Sequence, residues 1–72
     1  MRTIDTVYVG LNRWRVIGRD HDRTASIIIG WAERKKSGPL MFTPHPEFEG
    51  EISQRITRST KTLVRDLEKE LS

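Results

Sequence analysis

Hydrophobic and polar residues alternate along the front of the chain and change to a helical spacing towards its end. In residues 4–11, Val7, Val9 and Leu11 alternate with Thr6, Tyr8 and Gly10, the period-two signature of a strand with one buried face. Leu11-Asn12-Arg13 reads as a short turn, because Asn tolerates the left-handed backbone of tight turns. The extended pattern resumes from Trp14 to Arg19, with Trp14 and Val16 on one face and Arg15 and Ile17 on the other. Arg19-Asp20-His21-Asp22-Arg23 is wholly polar and holds two turn-forming Asp residues, which predicts a hairpin loop.

Thr24 to Ala32 carries the strongest strand pattern, centred on Ile27-Ile28-Ile29, three stiff β-branched residues in a row. An unbroken apolar run, unlike alternation, predicts burial on both faces. One helix covers one face of a sheet, so a second subunit is expected over the other. Glu33 to Pro39 reads as a charged loop, and Leu40-Met41-Phe42-Thr43 as a short fourth strand ended by Pro44 and Pro46. His45-Pro46-Glu47 reads as a helix start, since proline suits a first helical turn.

From about Glu47 onward, Ile52, Ile56, Leu63, Val64, Leu67 and Leu71 recur at helical spacing, with Thr60 between them. This predicts an amphipathic helix, regular from Gly50 or Glu51. The expected fold is α+β: a three- to four-stranded antiparallel β-meander followed by one amphipathic C-terminal helix packed on one face, a single domain over residues 1–72. This β-β-β-β-α order is similar in outline to that of single-stranded-DNA-binding transcriptional coactivators and Whirly proteins. The similarity is one of element order and carries over no site residue.

A domain of this length buries only about 60% of its unfolded surface, so small domains usually need a further staple. The absence of cysteine excludes disulfides and thiolate zinc sites, and two histidines exclude a histidine-rich metal cluster. Oligomerisation is the staple left, and a homodimer is expected. No apolar run approaches the roughly 20 residues that span a bilayer. Met1 to Asp5 lacks the apolar core of a signal peptide. A cytoplasmic protein with no membrane partner is expected.

Charge alters the picture through its distribution. The net charge is only +3, but residues 1–36 hold eight basic against four acidic side chains, and residues 37–72 five against six. A basic front half points to a polyanionic partner. Arg13, Arg15, Arg19, Arg23, Arg34, Lys35 and Lys36, interleaved with Tyr8 and Trp14, form the candidate nucleic-acid-binding set. Cations neutralise phosphates, and exposed aromatics stack on unpaired bases. Trp14 and Trp31 also fit the core, where tryptophan is most often found.

Arg58, Lys61 and Arg65 give a second basic stripe on the helix, diluted by Asp66, Glu68 and Glu70. Asp20-His21-Asp22 sets carboxylates beside a histidine, but adjacent loop residues rarely converge on one metal. No metal or cofactor is expected. Neither a nucleophile elbow nor a phosphate loop is present, and so small a chain has few residues with which to wall a pocket, so no enzymatic activity is expected. Two functions fit. One is a small basic nucleic-acid-binding regulator. The other is a non-enzymatic protein-interaction module, an adaptor or a virus-encoded inhibitor, docking through an edge strand or the flank of Leu40, Met41, Phe42 and Phe48.

Overall fold

The alternating segments build one antiparallel sheet, and the helical segment lies across one of its faces. In the computed structural model, which describes residues 2–20 and 26–71, the order is β1 (Arg2–Gly10), β2 (Arg13–Asp20), β3 (Ser26–Arg34), β4 (Leu40–Pro44), β5 (Arg55–Thr57) and α1 (Thr60–Leu71). The five strands pair in sequence order as a meander. The α+β class and the single C-terminal helix match the expectation, with five strands in place of three to four.

The core lies between the sheet and α1. Ile4, Val16, Ile29, Ala32, Leu40 and Phe42 supply the sheet side, and Leu63 and Leu67 the helix side. Phe48 and Ile52, from the segment joining β4 to β5, close the end. That segment opens with a single 3₁₀ turn, Pro46–Phe48, in which His45 Nδ1 accepts a hydrogen bond from the Glu47 N–H at 3.2 Å. The helix start expected at His45-Pro46-Glu47 is there, but it lasts one turn.

The regular helix begins at Thr60, not at Gly50 or Glu51. Ile52 and Ile56 keep helical spacing by coincidence. Ile52 is drawn into the core from a turn, whereas Arg55-Ile56-Thr57 pairs with β4 and leaves Ile56 63% exposed. Ladder pairing of two β-branched residues here overrides a weak helical preference. Ser59 then caps α1: its Oγ accepts from the Thr62 N–H at 3.2 Å, the usual way to satisfy an orphan amide at a helix start.

The isoleucine run is not covered on both faces within the chain. Val16 pairs with Gly30 but Ile17 pairs with Ile28, so Ile29 is an extra residue in β3, a β-bulge. Ile29 is fully buried against α1 and Ile27 packs beside it, while Ile28 faces the other way and is 38% exposed. In β1 the phase is the reverse of the expected one. Ile4 is the buried residue, and Val7 and Val9 lie on the exposed side. Leu40, Phe42 and Phe48 belong to the core, Met41 is exposed on the opposite face, and β4 is paired on both sides, so β4 is not an edge of the sheet.

Two backbone positions carry unusual demands. Leu11 and Asn12 close the β1–β2 hairpin with φ of 54° and 56°, positive at both central residues as the twist of a two-residue hairpin requires. Leucine pays for this conformation with Cβ crowding, and its side chain is 87% exposed, so it gains little packing in return. Leu11→Asn should therefore raise the melting temperature, by the equivalent of about 1 kcal/mol. An unchanged or lowered midpoint would show that Leu11 makes a stabilising contact. At Gly30 a Cβ would sit 2.4 Å from the Thr43 carbonyl oxygen and 2.7 Å from the Phe42 ring. Gly30→Ala should cost about 1–3 kcal/mol by overpacking, read from the denaturation midpoint.

Candidate functional site

The face of the sheet turned away from α1 gathers residues from every strand. Because the strands are in antiparallel register, outward residues line up in rows across them. Val7, Arg15, Trp31 and Thr43 form one row, and Arg13, Glu33, Met41 and Ile56 the next. On the other side lie Asp5, Ile17 and Ile28, followed by Thr3, Arg19 and Ser26. Arg13, Arg15 and Arg19 thus stand in one column along the outward side of β2, with Ile17 between the last two.

The charges in this column differ in availability. Arg13 Nε donates to Glu33 Oε2 at 3.0 Å, a cross-strand ion pair at the surface. Arg15 and Arg19 are exposed, and neither is ion-paired to another described residue. Beside Arg15 the face dips into a shallow depression of about 350 Å³, lined by Val9, Arg13, Arg15, Trp31, Met41 and Thr43. Its size is at the low end of small-ligand pockets. Trp31 remains 42% exposed there, with the His45 ring 5.4 Å from its own and tilted by 34°.

The remaining predicted residues are elsewhere. Tyr8 and Trp14 are cross-strand partners on the helix side of the sheet, edge to face with ring centroids 5.3 Å apart. Trp14 is half-buried against the core, whereas Tyr8 is 57% exposed and its hydroxyl accepts from the Asn12 N–H at 3.3 Å. Arg34 is on that same side. Its Nη2 donates to the Arg58 carbonyl at 2.9 Å and its guanidinium carbon is 6.0 Å from the centroid of the Trp14 ring. Lys35 and Lys36 are exposed in the β3–β4 turn, and Arg23 lies outside the described residues, as do His21 and Asp22.

The predicted set therefore divides. Arg13, Arg15 and Arg19 come together on the open face, while Tyr8, Trp14 and Arg34 make a structural cluster on the opposite side. Trp31, expected in the core, belongs to the open face together with Ile28, Met41 and Ile56. On α1, Lys61 and Arg65 are exposed, while Arg58 precedes the helix and gives its carbonyl to Arg34. No described helix is long and apolar enough to cross a membrane. No known protein family matches the chain, and no curated protein or solved structure is significantly similar to it.

Arg34 joins the end of β3 to the residue two before α1. Its Nε is buried with no hydrogen-bond partner among the described residues, which offsets part of what its other contacts contribute. Arg34→Ala should lower stability by about 1–3 kcal/mol, through loss of the carbonyl bond and the stem packing. A variant that keeps its melting temperature but loses affinity for a polyanion would return Arg34 to the binding surface.

Proposed function

We propose that the protein binds nucleic acid across the open face of its sheet, with Arg15 and Arg19 as the principal phosphate ligands and Arg13 as an adjunct. The observation that carries this reading is the column of arginines along β2, of which two are exposed and not ion-paired to a described residue. Lys35 and Lys36 add positive charge near the Arg13 end of the column, since the β1–β2 and β3–β4 turns share one end of the sheet. Cationic side chains on a rigid sheet lose less freedom on binding than cations on a loop. Regulation through such binding needs no catalytic group.

A second reading has its own support. Val7, Ile28, Met41 and Ile56 are exposed on the same face, and an apolar patch of this kind also suits a protein partner or a second copy of the chain. The two readings separate by salt dependence. Contacts to two or three phosphates of a single strand imply a slope of about −1.4 to −2.1 in log affinity against log salt. Affinity for a labelled oligonucleotide should then fall about tenfold from 50 to 200 mM salt.

Arg15→Glu with Arg19→Glu should abolish that binding at 50 mM salt and leave the thermal transition in place. Lys61→Glu with Arg65→Glu, on the outer side of α1, should reduce it no more than twofold to threefold. Fluorescence anisotropy measures both. Equal losses from the two pairs would mean diffuse charge attraction with no site on the sheet.

A further inference from the structure

We infer that the ligand of the open face is an unpaired strand, held by its phosphates along β2 and by one base stacked on Trp31. This rests on the nucleic-acid reading above and names its substrate class. Three features of the face favour an unpaired strand over a duplex.

The first is shape. Double-stranded DNA exposes only base edges, at the bottom of grooves, and proteins reach them with a protruding helix or two-stranded ribbon. The open face spans five strands, about 19 Å from first to last, too broad to enter a major groove about 12 Å wide. The helix is behind the sheet and cannot reach past it.

The second is the aromatic ring. Trp31 is exposed at the depression beside Arg15, one strand away from the cation column. Stacking needs the flat face of a base, which an unpaired nucleotide offers and a duplex hides. The contact between Trp31 and His45 limits the orientations open to the indole, so it presents a partly ordered platform.

The third is the arrangement of polar and apolar positions. From Arg13 to Arg19 the column is about 20 Å long, sufficient for a few nucleotides of an extended strand. Towards β3, β4 and β5, the neighbours of the column include Ile28, Trp31, Met41 and Ile56, with Ser26, Thr43 and the Arg13-paired Glu33 among them. Phosphates over β2 would leave the bases above these apolar side chains. A duplex in the same place would set phosphates against them.

The test uses the full chain with four probes: a labelled 12-nucleotide DNA strand, the same sequence in RNA, its DNA duplex, and heparin, which has charge but no bases. Either single strand should bind at least tenfold more tightly than the duplex, and a preference between the two reports only on the sugar. Trp31→Ala should weaken single-strand binding by about fivefold to 140-fold, the equivalent of one lost stacked base, and change heparin binding less than twofold. Trp31→Phe should restore most of the loss. Trp31 is on the surface, and an unchanged thermal transition in both variants confirms that folding is not the cause.

Duplex binding as tight as single-strand binding overturns the inference and leaves the nucleic-acid reading intact. So does an equal effect of Trp31→Ala on oligonucleotide and heparin. If no probe binds at 50 mM salt, both fail. A homodimer in sedimentation that Trp31→Ala dissociates also overturns both, because the face would then be occupied by a second copy.

Discussion

The single extra residue in β3 decides what this molecule shows to its surroundings. Up to the bulge, Ile27 and Ile29 point towards α1; beyond it, Gly30, Ala32 and Arg34 take over that side. Strict alternation would instead have continued from Ile29 through Trp31 and Glu33. A carboxylate and an indole would then have been turned into a core filled by Phe42, Leu63 and Leu67. Burying an unpaired charge costs several kcal/mol, and the space is already full. With the bulge, Glu33 meets Arg13 at the surface, Trp31 joins Arg15 in its row, and the small Ala32 meets Phe42. The next small residue, Gly30, lies where the Phe42 ring and the Thr43 carbonyl approach most closely.

This explains which features were legible in the sequence. The strands came through because alternation and turn residues are local signals. The faces of β2 were readable directly: Trp14 and Val16 point one way and Arg15 and Ile17 the other. A bulge has no reliable local signature, and an unbroken apolar run resembled a strand buried on both faces. In β1 the three apolar residues Val7, Val9 and Leu11 outweighed the single Ile4 in the pattern, yet Ile4 is the one beneath α1. Ile52 and Ile56 fit a helical stripe by spacing alone. The competing signals, β-branched Ile56 and Thr57 followed by a capping Ser59, were present, but pairing with β4 is a tertiary fact.

Composition located the excess positive charge in the front half of the chain but could not divide it between surfaces. Arg34 and Arg15 are both strand arginines near a tryptophan, and no sequence rule tells them apart. Their partners do. Arg34 is held over Trp14 and spends a donor on the Arg58 carbonyl, so it braces the joint between β3 and the start of α1. At the other end of the helix, Arg55 of β5 is ion-paired with Glu70. These two arginines fasten the helix segment to the sheet. Arg15 and Arg19 do neither, and they face outward from the most completely paired part of the fold.

The treatment of the sheet's margins gives the open face its meaning. A meander has two free edges, which invite pairing with other strands unless something blunts them. Here the outer edge of β1 has its Ile4 N–H donated to Glu68 Oε2 of α1 at 3.2 Å, and the opposite edge, β5, is only three residues long. Valines, isoleucines, a methionine and a tryptophan are exposed on the broad face. None of these side chains belongs to the core beneath α1. They share that face with Arg15 and Arg19, whereas the two edges carry backbone groups.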